Sequence, residues 1–184
     1  MEIRDLQPND ESAILQTAAL LVEGFLNAWP DQESALEEVH ASFGTGHISR
    51  IALDEKGEVL GWIGGMSQYD GNVWELHPLV VRADCRGQGI GRMLVADLEI
   101  QVQAQGGLTL WLGTDDEDDG TTLSNVDLYP NVWEHIADIR NLKGHPYEFY
   151  QKLGFVIVGV LPDANGLGKP DIFMAKRLSG GNAS

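Results

Sequence analysis

The order of strand and helix patterns along the chain predicts an α+β fold in which helices flank a mixed sheet. The patterns run strand, two helices and a group of strands, followed by strand-helix-strand-helix-strand-strand. The chain has 184 residues, of which 43% are apolar, which suffices for a buried core. We expect one domain over residues 1–178 and a flexible tail, SGGNAS, over residues 179–184.

The first part of the chain is predicted to form a strand and two helices. EIRDL is a short strand candidate. Asp10 is suited to cap a first helix, whose apolar face includes Leu15, and Pro30 is expected to end that helix. Asp31 directly follows and is suited to cap a second helix.

The next three segments are predicted to form strands. ISRIALD and EVLGWIGGM flank a turn around Lys56 and Gly57, which is typical of a β-hairpin. NVWELHPLVVR follows as a further strand. Proline lacks an N–H and occurs in strands at edges or bulges, so Pro78 in this strand indicates an irregular position.

The second half alternates helices and strands. A helix that ends at Gly106 and Gly107 is marked by apolar residues at helical spacing: Leu94, Val95, Leu98 and Val102. LTLWLGT then indicates a buried strand, residues 121–144 are partly helical, and HPYEFYQKLGF is a short helix. The closing strands are FVIVGVL and DIFMAKRL.

Composition excludes several classes of protein. The net charge of −16 argues against nucleic-acid partners and anionic membranes and favours cationic partners, although it also fits solubility alone. We find no apolar run of membrane-spanning length and no signal-peptide pattern. The single cysteine, Cys85, excludes an intrachain disulfide framework and a cysteine-rich zinc site. A cytoplasmic location is therefore expected.

The segment RADCRGQGIGRMLV places a glycine loop between a strand and a helix. Glycine lets the backbone approach a ligand closely, and the first N–H groups of a helix attract anions. The spacing fits neither the dinucleotide fingerprint nor the phosphate loop that ends in Lys-Ser or Lys-Thr. The remaining pattern is Arg86-x-x-Gly89-x-Gly91. It predicts an anion site, and a tight turn alone is the structural alternative.

This pattern resembles the acetyl-CoA signature of the GNAT N-acetyltransferases. Two other segments support the resemblance: WELHPLVV is similar to the family's splayed fourth strand, and EFYQKLGF to its second signature. The resemblance implies a central, mostly antiparallel sheet and a bulge at which the Leu79 N–H binds the acetyl carbonyl. The implied acetyl-CoA residues are Leu79, Val80, Val81, Arg86, Gly87, Gln88, Gly89, Ile90, Gly91, Arg92 and Tyr150.

The resemblance places Tyr150 near the sulfur of coenzyme A. A phenol with an unperturbed pKa of about 10 is suited to protonate a departing thiolate. A core aromatic is the alternative for this residue, with Phe149 as the stronger core candidate. Many family members have an asparagine for the pantetheine arm where this chain has Lys143, with Asn141 nearby, so the group that holds the arm stays open.

WELHPLVV, LGTDDEDDGTTLS and HPYEFYQKLGF resemble the bacterial aminoglycoside 6′-N-acetyltransferases. Aminoglycosides are polycations, which an acidic cleft attracts. We interpret Glu75 as the group that binds the substrate ammonium and takes its proton, and Leu79 and Tyr150 as the other catalytic residues. His77 is expected to help shape the bulge, with general base as the alternative. The resemblance implies a substrate-binding set of Trp29, Tyr69, Glu75, His77, Asp115 and Asp171. Core or surface packing is the alternative for Trp29, Tyr69 and Asp171.

Three further features are interpreted without a catalytic role. Asp116 to Asp119 are expected to form a solvated acidic loop. A calcium loop of the EF-hand type is rejected because its last acidic ligand would fall on Val126, so no metal is expected. Cys85 has no patterned base and is interpreted as a small buried hydrophobe.

The resemblance implies an enzyme that uses acetyl-CoA, takes an aminoglycoside as acceptor, confers antibiotic resistance and forms a homodimer. Two alternatives remain open on the residues alone. One is the same fold acetylating another amine, such as a polyamine or a protein N-terminus. The other is a non-catalytic sensor that binds acyl-CoA, although such a sensor needs only the loop and has no use for Glu75 and Tyr150.

Overall fold

The computed structural model describes residues 1–25 and 27–178, so the predicted tail over residues 179–184 lies outside the described residues. The contacts between Cα atoms group the chain into two compact units. One unit comprises Met1–Leu108 with Leu178, and the other comprises Thr109–Arg177. The single domain expected from the sequence stays a prediction. No helix among the described residues is long and apolar enough to cross a membrane.

Within residues 1–25, 27–108 and 178, the first unit contains four strands and three α-helices. In chain order they are β1 (Glu2–Asp5), α1 (Glu11–Gly24), α2 (Gln32–Ala41), β2 (His47–Leu53), β3 (Val59–Gln68), β4 (Val73–Val81) and α3 (Ile90–Ala104). The strands pair in the order β1-β2-β3-β4, and each pair is antiparallel. This order confirms the predicted hairpin of β2 and β3.

Both predicted N-caps are confirmed. The Asp10 carboxylate accepts the Ala13 N–H at 3.1 Å, and the Asp31 carboxylate accepts the Ser34 N–H at 2.9 Å. Each bond satisfies one of the donors that a helix N-terminus leaves without an intrahelical partner. The two caps therefore define the residues at which α1 and α2 begin.

Two details of α1 were predicted wrongly. Leu15 is 53% exposed, because the buried side of the helix is centred on Ile14, Ala18 and Leu21 and the adjacent position turns away. The helix ends at Gly24, well before Pro30, because Phe25 adopts a non-helical backbone with φ of −145°. The connection from α1 to α2 is therefore longer than proline placement alone predicts.

The β3–β4 pairing contains the predicted irregularity at Pro78. Ile63 lies opposite Leu79 and Gly65 opposite Leu76, so one residue of β3 faces two residues of β4. This is a β-bulge at His77 and Pro78, which are joined by a cis peptide bond. The bulge lies directly before Leu79 on the strand that carries most of the predicted catalytic residues.

Helix α3 packs its apolar face on the sheet of the first unit. Its buried residues are Ile90, Leu94, Val95, Leu98 and Val102, which confirms the predicted face. Arg50 of β2 forms an ion pair with Asp97 of α3 at 2.6 Å and with Asp5 at the end of β1 at 2.5 Å. This largely buried arginine therefore links the helix to two strands.

Among the described residues, the second unit contains three strands and two short α-helices. Its elements are β5 (Thr109–Asp115), α4 (Val132–Ala137), α5 (Tyr147–Lys152), β6 (Val156–Leu161) and β7 (Asp171–Arg177). Strand β7 pairs antiparallel with both β5 and β6, which places it in the middle. The closing strand pair and the short helix that contains Tyr150 were both predicted.

Candidate functional site

Strand β4 carries a group of the predicted site residues on its less buried side. Trp74, Leu76 and Val80 are buried, whereas Glu75 and Leu79 are half-buried and His77 is exposed. The alternation of a strand places Glu75 and His77 on the same face. Glu75 accepts a hydrogen bond from the Gln68 side chain at 2.7 Å, which holds its carboxylate in one orientation. Gln68 was not identified from the sequence.

His77 lies against an aromatic residue and a carboxylate. Its ring centroid is 5.9 Å from that of Trp29, which in turn forms an edge-on contact with Phe25 at 5.5 Å. The His77 Nε2 atom is 3.9 Å from the Glu38 carboxylate of α2. The structure thus brings the predicted residues Trp29, Glu75 and His77 to one region of the first unit, and adds Glu38, which sequence reasoning missed.

Tyr69 lies in the turn between β3 and β4 and is 76% exposed. Its backbone has a positive φ of 49°. The Asn72 side chain donates to its carbonyl oxygen at 3.0 Å, which helps to hold this conformation. The phenol is therefore presented to solvent from a fixed turn, as expected of a binding residue more than of a core residue.

The glycine loop leads directly into α3. Gly87 and Gly89 have φ values of 76° and 87°, and the space around a Cβ at either position is empty within 4 Å. Gly89 is the N-cap of α3, so the first N–H groups of the helix face the loop. A backbone that is open and rich in donors, at the positive end of a helix, suits an anion.

The polar side chains of the loop fold back on its own backbone. Arg86 Nε donates to the Val81 carbonyl at 3.1 Å, and the Gln88 amide donates to the Asp84 carbonyl at 3.3 Å. Arg82 pairs with Asp84 at 2.8 Å and donates to the Cys85 sulfur at 3.3 Å. Cys85 is half-buried rather than buried, which corrects its interpretation as a buried hydrophobe.

In the second unit, two predicted substrate residues lie opposite each other. Asp115, the last residue of β5, pairs with Asp171, the first residue of β7. The Asp171 carboxylate lies over Gly113, where an added Cβ would come within 2.5 Å of it. Asn165 donates to the Asp115 carboxylate at 2.5 Å. Two neighbouring carboxylates at the end of a strand pair suit a ligand that carries several ammonium groups.

The expectation that Asp116 lies in a solvated loop is wrong, because this residue is only 1% exposed. Its carboxylate accepts hydrogen bonds from the N–H groups of Gly120 and Thr121, at 2.6 and 2.9 Å, and from the Thr121 hydroxyl at 2.6 Å. Burial alone raises the pKa of Asp116, but interactions with Ser124, Thr121 and the Gly120 N–H outweigh it and lower that pKa. Asp118 and Asp119 are exposed, as expected.

A buried histidine completes this turn. The His145 Nδ1 atom accepts the Tyr147 N–H at 3.2 Å, and Nε2 is therefore the nitrogen that donates to the Asp115 carbonyl at 3.1 Å. The Asn141 amide exchanges two hydrogen bonds with the backbone of His145, at 2.7 and 2.9 Å. Sequence reasoning did not identify His145, because its contact with the Asp115 carbonyl joins residues that are distant along the chain.

Tyr150 is 9% exposed, whereas Phe149 is half-buried, so the phenol and not the phenylalanine is the stronger core residue of α5. The ring packs against Phe149 and Phe155 with centroids 5.0 and 5.7 Å away. Burial raises the pKa of Tyr150 well above its ordinary value. The phenol therefore keeps its proton throughout the physiological range.

The two candidates for the pantetheine arm have other partners in this structure. The Asn141 amide is hydrogen-bonded to the backbone of His145, and the Lys143 ammonium donates to the Asp118 carbonyl at 2.7 Å. Within residues 1–25 and 27–178 we find no group of three or more histidine, cysteine, aspartate or glutamate side chains placed to hold a metal ion.

The chain is similar to known acetyltransferases in sequence and structure. The family model described as Acetyltransferase (GNAT) family matches residues 14–122. The crystal structure of an aminoglycoside 6′-N-acetyltransferase complexed with coenzyme A is 46% identical over 97% of both chains, with a TM-score of 0.92. The aminoglycoside 6′-N-acetyltransferase from Enterococcus faecium is 46% identical over 97% of both chains, with a TM-score of 0.90.

A third solved structure, an aminoglycoside 6′-acetyltransferase of type Ii, is 39% identical over 97% of both chains, with a TM-score of 0.77. Comparison of the sequence with curated proteins gives no significant match.

Proposed function

This chain belongs to the acetyltransferase (GNAT) family, and on that premise we propose that it is an aminoglycoside 6′-N-acetyltransferase. The observation that carries the proposal is the 46% identity, over 97% of both chains, to a structure of such an enzyme with coenzyme A. The reaction is direct transfer of an acetyl group from acetyl-CoA to the 6′-amine, without an acyl-enzyme. The net charge of −16 suits a polycationic acceptor.

The proposed site for the pyrophosphate of acetyl-CoA is the loop from Arg86 to Arg92. Its support is the open backbone at Gly87 and Gly89 and the start of α3, whose first N–H groups have no intrahelical partner and are not capped by the side chain of its N-cap residue. Val80 and Val81 are assigned to the pantetheine arm as the strand residues that precede the loop. No metal is required by this arrangement, since the helix N-terminus itself supplies the positive potential.

We assign the Leu79 N–H to the thioester carbonyl. The bulge at His77 and Pro78 interrupts the regular ladder directly before Leu79, which supports a role for this part of the strand in binding a ligand. A donor at this position stabilises the oxyanion of the tetrahedral intermediate, where the negative charge develops during the reaction.

Glu75 is proposed to bind the reacting ammonium and to accept its proton, through a water molecule. The freed amine then attacks the carbonyl carbon and a C–N bond forms. The nitrogen releases its extra proton to solvent, and collapse of the tetrahedral intermediate breaks the C–S bond. Gln68 orients the Glu75 carboxylate from the neighbouring strand. The other ammonium groups and sugar rings are assigned to Trp29, Tyr69, His77, Asp115 and Asp171.

Tyr150 is proposed to donate its proton to the departing thiolate of coenzyme A. Its support is the resemblance that places this tyrosine near the sulfur of coenzyme A. Burial raises the pKa of Tyr150, so the phenol is protonated at neutral pH but is a weaker acid than in water. The proton leaves the phenol only as negative charge develops on the sulfur, and solvent then restores it. If single-turnover rates of Tyr150→Phe equal those of the wild-type enzyme, this role is wrong.

The proposal extends to assembly, location and biological role. Strand β6 has three exposed apolar side chains, Val156, Val158 and Leu161, and among the described residues it pairs with β7 alone. An exposed apolar edge strand suits association of two copies, which supports a homodimer. Light scattering on the wild-type protein and on Val158→Lys tests this state. A cytoplasmic location and a role in aminoglycoside resistance follow from the proposed substrates.

The first test is thiol release from acetyl-CoA with kanamycin A, which has a 6′-amine, beside a matched aminoglycoside with a 6′-hydroxyl. Turnover of the first compound alone supports both the reaction and the position acetylated. If the enzyme acetylates spermidine but not kanamycin A, the polyamine alternative is favoured. Binding of acetyl-CoA without turnover of any amine would favour a sensor.

A further inference from the structure

A small cavity of about 30 Å³ lies beside the bulge of β4. Its wall includes one carboxylate, two histidines and one hydroxyl, contributed by Glu38, His47, His77 and Ser42. Such a volume holds about one water molecule or a group of similar size. An ammonium group is of this size and donates three hydrogen bonds. The cavity lies wholly within the first unit.

Glu38 reaches this cavity because of its position on α2. The helix buries Ala35 and Val39, and Glu38 follows Ala35 by three residues, which places it at the edge of the buried face. Its side chain is 29% exposed, whereas the neighbouring Glu37 is exposed. Partial burial makes attraction to a cation stronger than at a fully solvated carboxylate.

The cavity is close to the residue proposed to activate the amine. Glu75 lies opposite Met66 in the strand pair, and Met66 is also part of the cavity wall. His77 follows Glu75 by two residues on the same face and lines the cavity as well. Glu38 and Glu75 therefore flank His77, one from the helix and the other from the strand.

We propose that Glu38 binds a second ammonium group of the aminoglycoside while Glu75 holds the reacting one. This inference rests on the proposed function and extends the acceptor site to α2. The Glu38 carboxylate is 3.9 Å from His77 Nε2, which is too long for a hydrogen bond. An ammonium group that enters the cavity can therefore donate to this carboxylate. Two carboxylates on separate elements orient a polycation in a way that one carboxylate cannot.

Steady-state kinetics of Glu38→Gln test this role, with Glu37→Gln as the matched control. Both variants remove one negative charge from adjacent positions of the same helix, so long-range electrostatic effects are nearly equal. We expect Glu38→Gln to raise the KM for kanamycin A about tenfold, the change for a typical charge-assisted contact. The kcat and the KM for acetyl-CoA stay near their wild-type values, and Glu37→Gln changes each constant less than about twofold.

Other outcomes separate this inference from the proposed function. If the wild-type enzyme acetylates kanamycin A and Glu38→Gln leaves its KM within about twofold, the inference is wrong and the function stands. An equal rise in the KM for acetyl-CoA would indicate a structural role and overturn it too. Absence of any aminoglycoside turnover by the wild-type enzyme would overturn both. Glu38→Asp keeps the negative charge, so its KM for kanamycin A should lie between those of the wild type and Glu38→Gln. If Glu38→Gln folds poorly, a KM of Glu38→Asp that is as high as that of a variant without the charge would overturn the inference.

Discussion

Gly64 of β3 packs directly against the carbonyl oxygen of His77 in the bulge of β4, so that a Cβ at Gly64 would overlap this oxygen. The register of the two strands shifts at this position, where two residues of β4 face Gly64. The bulge therefore depends on a glycine in the opposite strand as well as on the proline in its own. Since Leu79 follows the bulge, this contact sets the backbone path of a proposed catalytic residue.

Substitution of Gly64 by alanine is expected to lower the free energy of unfolding by about 2 kcal/mol, because backbone must move to make room for the methyl group. Thermal or urea unfolding measures the loss. Gly159→Ala is the matched control: it is also a strand glycine without positive φ, and the nearest atom to its added Cβ is 3.9 Å away. Equal stability of the two variants would contradict the proposed dependence of the bulge on Gly64.

Asp116→Asn is expected to lower stability at pH 7 by about 2 kcal/mol, because the buried carboxylate accepts three hydrogen bonds in the turn. The pKa of Asp116 is lowered on folding. Its contribution is therefore present above the unfolded pKa of about 3.9 and is lost as the pH falls through the folded pKa. The difference between wild type and variant should shrink below about pH 4.

Urea unfolding of both proteins between neutral and acidic pH checks this dependence. Asp118→Asn is the control, since this aspartate belongs to the same acidic run but is exposed. We expect its effect to stay within about 0.5 kcal/mol at every pH. A constant difference between Asp116→Asn and wild type across the acid range would mean that its ionisation is not linked to folding.

Periodic patterns and backbone-specific residues predicted most of the fold. The apolar spacing in α3, the two aspartate caps and the bulge at Pro78 depend on nearby residues, so local rules identify them. Leu15 was misplaced because the buried side of α1 extends through Ala13 and Leu20, away from Leu15, and only packing decides which side of a helix is buried.

The unpredicted parts of the site depend on tertiary contacts. In a run of five acids, nothing local distinguishes Asp116 from Asp118. The difference arises because the turn at Gly120 and Thr121 folds over the first of them. Glu38 and Asn165 likewise lie far along the chain from the residues that they approach, His77 and Asp115. Such pairings have no signature in a single sequence.

Tyr150→Phe is expected to make the protein less sensitive to alkali. Burial raises the pKa of Tyr150, so the neutral phenol contributes stability that is present below the unfolded pKa of about 10 and is lost as the pH rises above it. Phenylalanine has no proton to lose. Unfolding midpoints measured from about pH 8 to 11 should fall more steeply for wild type than for the variant. Tyr129→Phe, at a site that is 70% exposed, should behave like wild type.

Glu75→Gln is expected to lower kcat/KM for kanamycin A about 100-fold or more, the usual contribution of a general base. The KM for acetyl-CoA should change little, because the glycine loop and α3 are unaffected. Glu58→Gln, an exposed acid in the turn before β3, controls for the lost charge. Retention of full activity by Glu75→Gln would place the proton acceptor elsewhere.

Gly89→Ala tests the glycine loop as the acetyl-CoA site. Gly89 and Gly57 have nearly the same φ, 87° and 84°, and both have empty space within 4 Å of an added Cβ. Alanine should therefore cost each protein a similar stability, about 1–2 kcal/mol, from the left-handed backbone alone. Gly89 caps α3, however, whereas Gly57 lies in the hairpin turn before β3. We expect the KM for acetyl-CoA to rise severalfold for Gly89→Ala and to stay unchanged for Gly57→Ala. Because the backbone cost is matched, a shared rise in KM would trace the effect to general destabilisation, and an unchanged KM in both variants would exclude Gly89 from the pyrophosphate site.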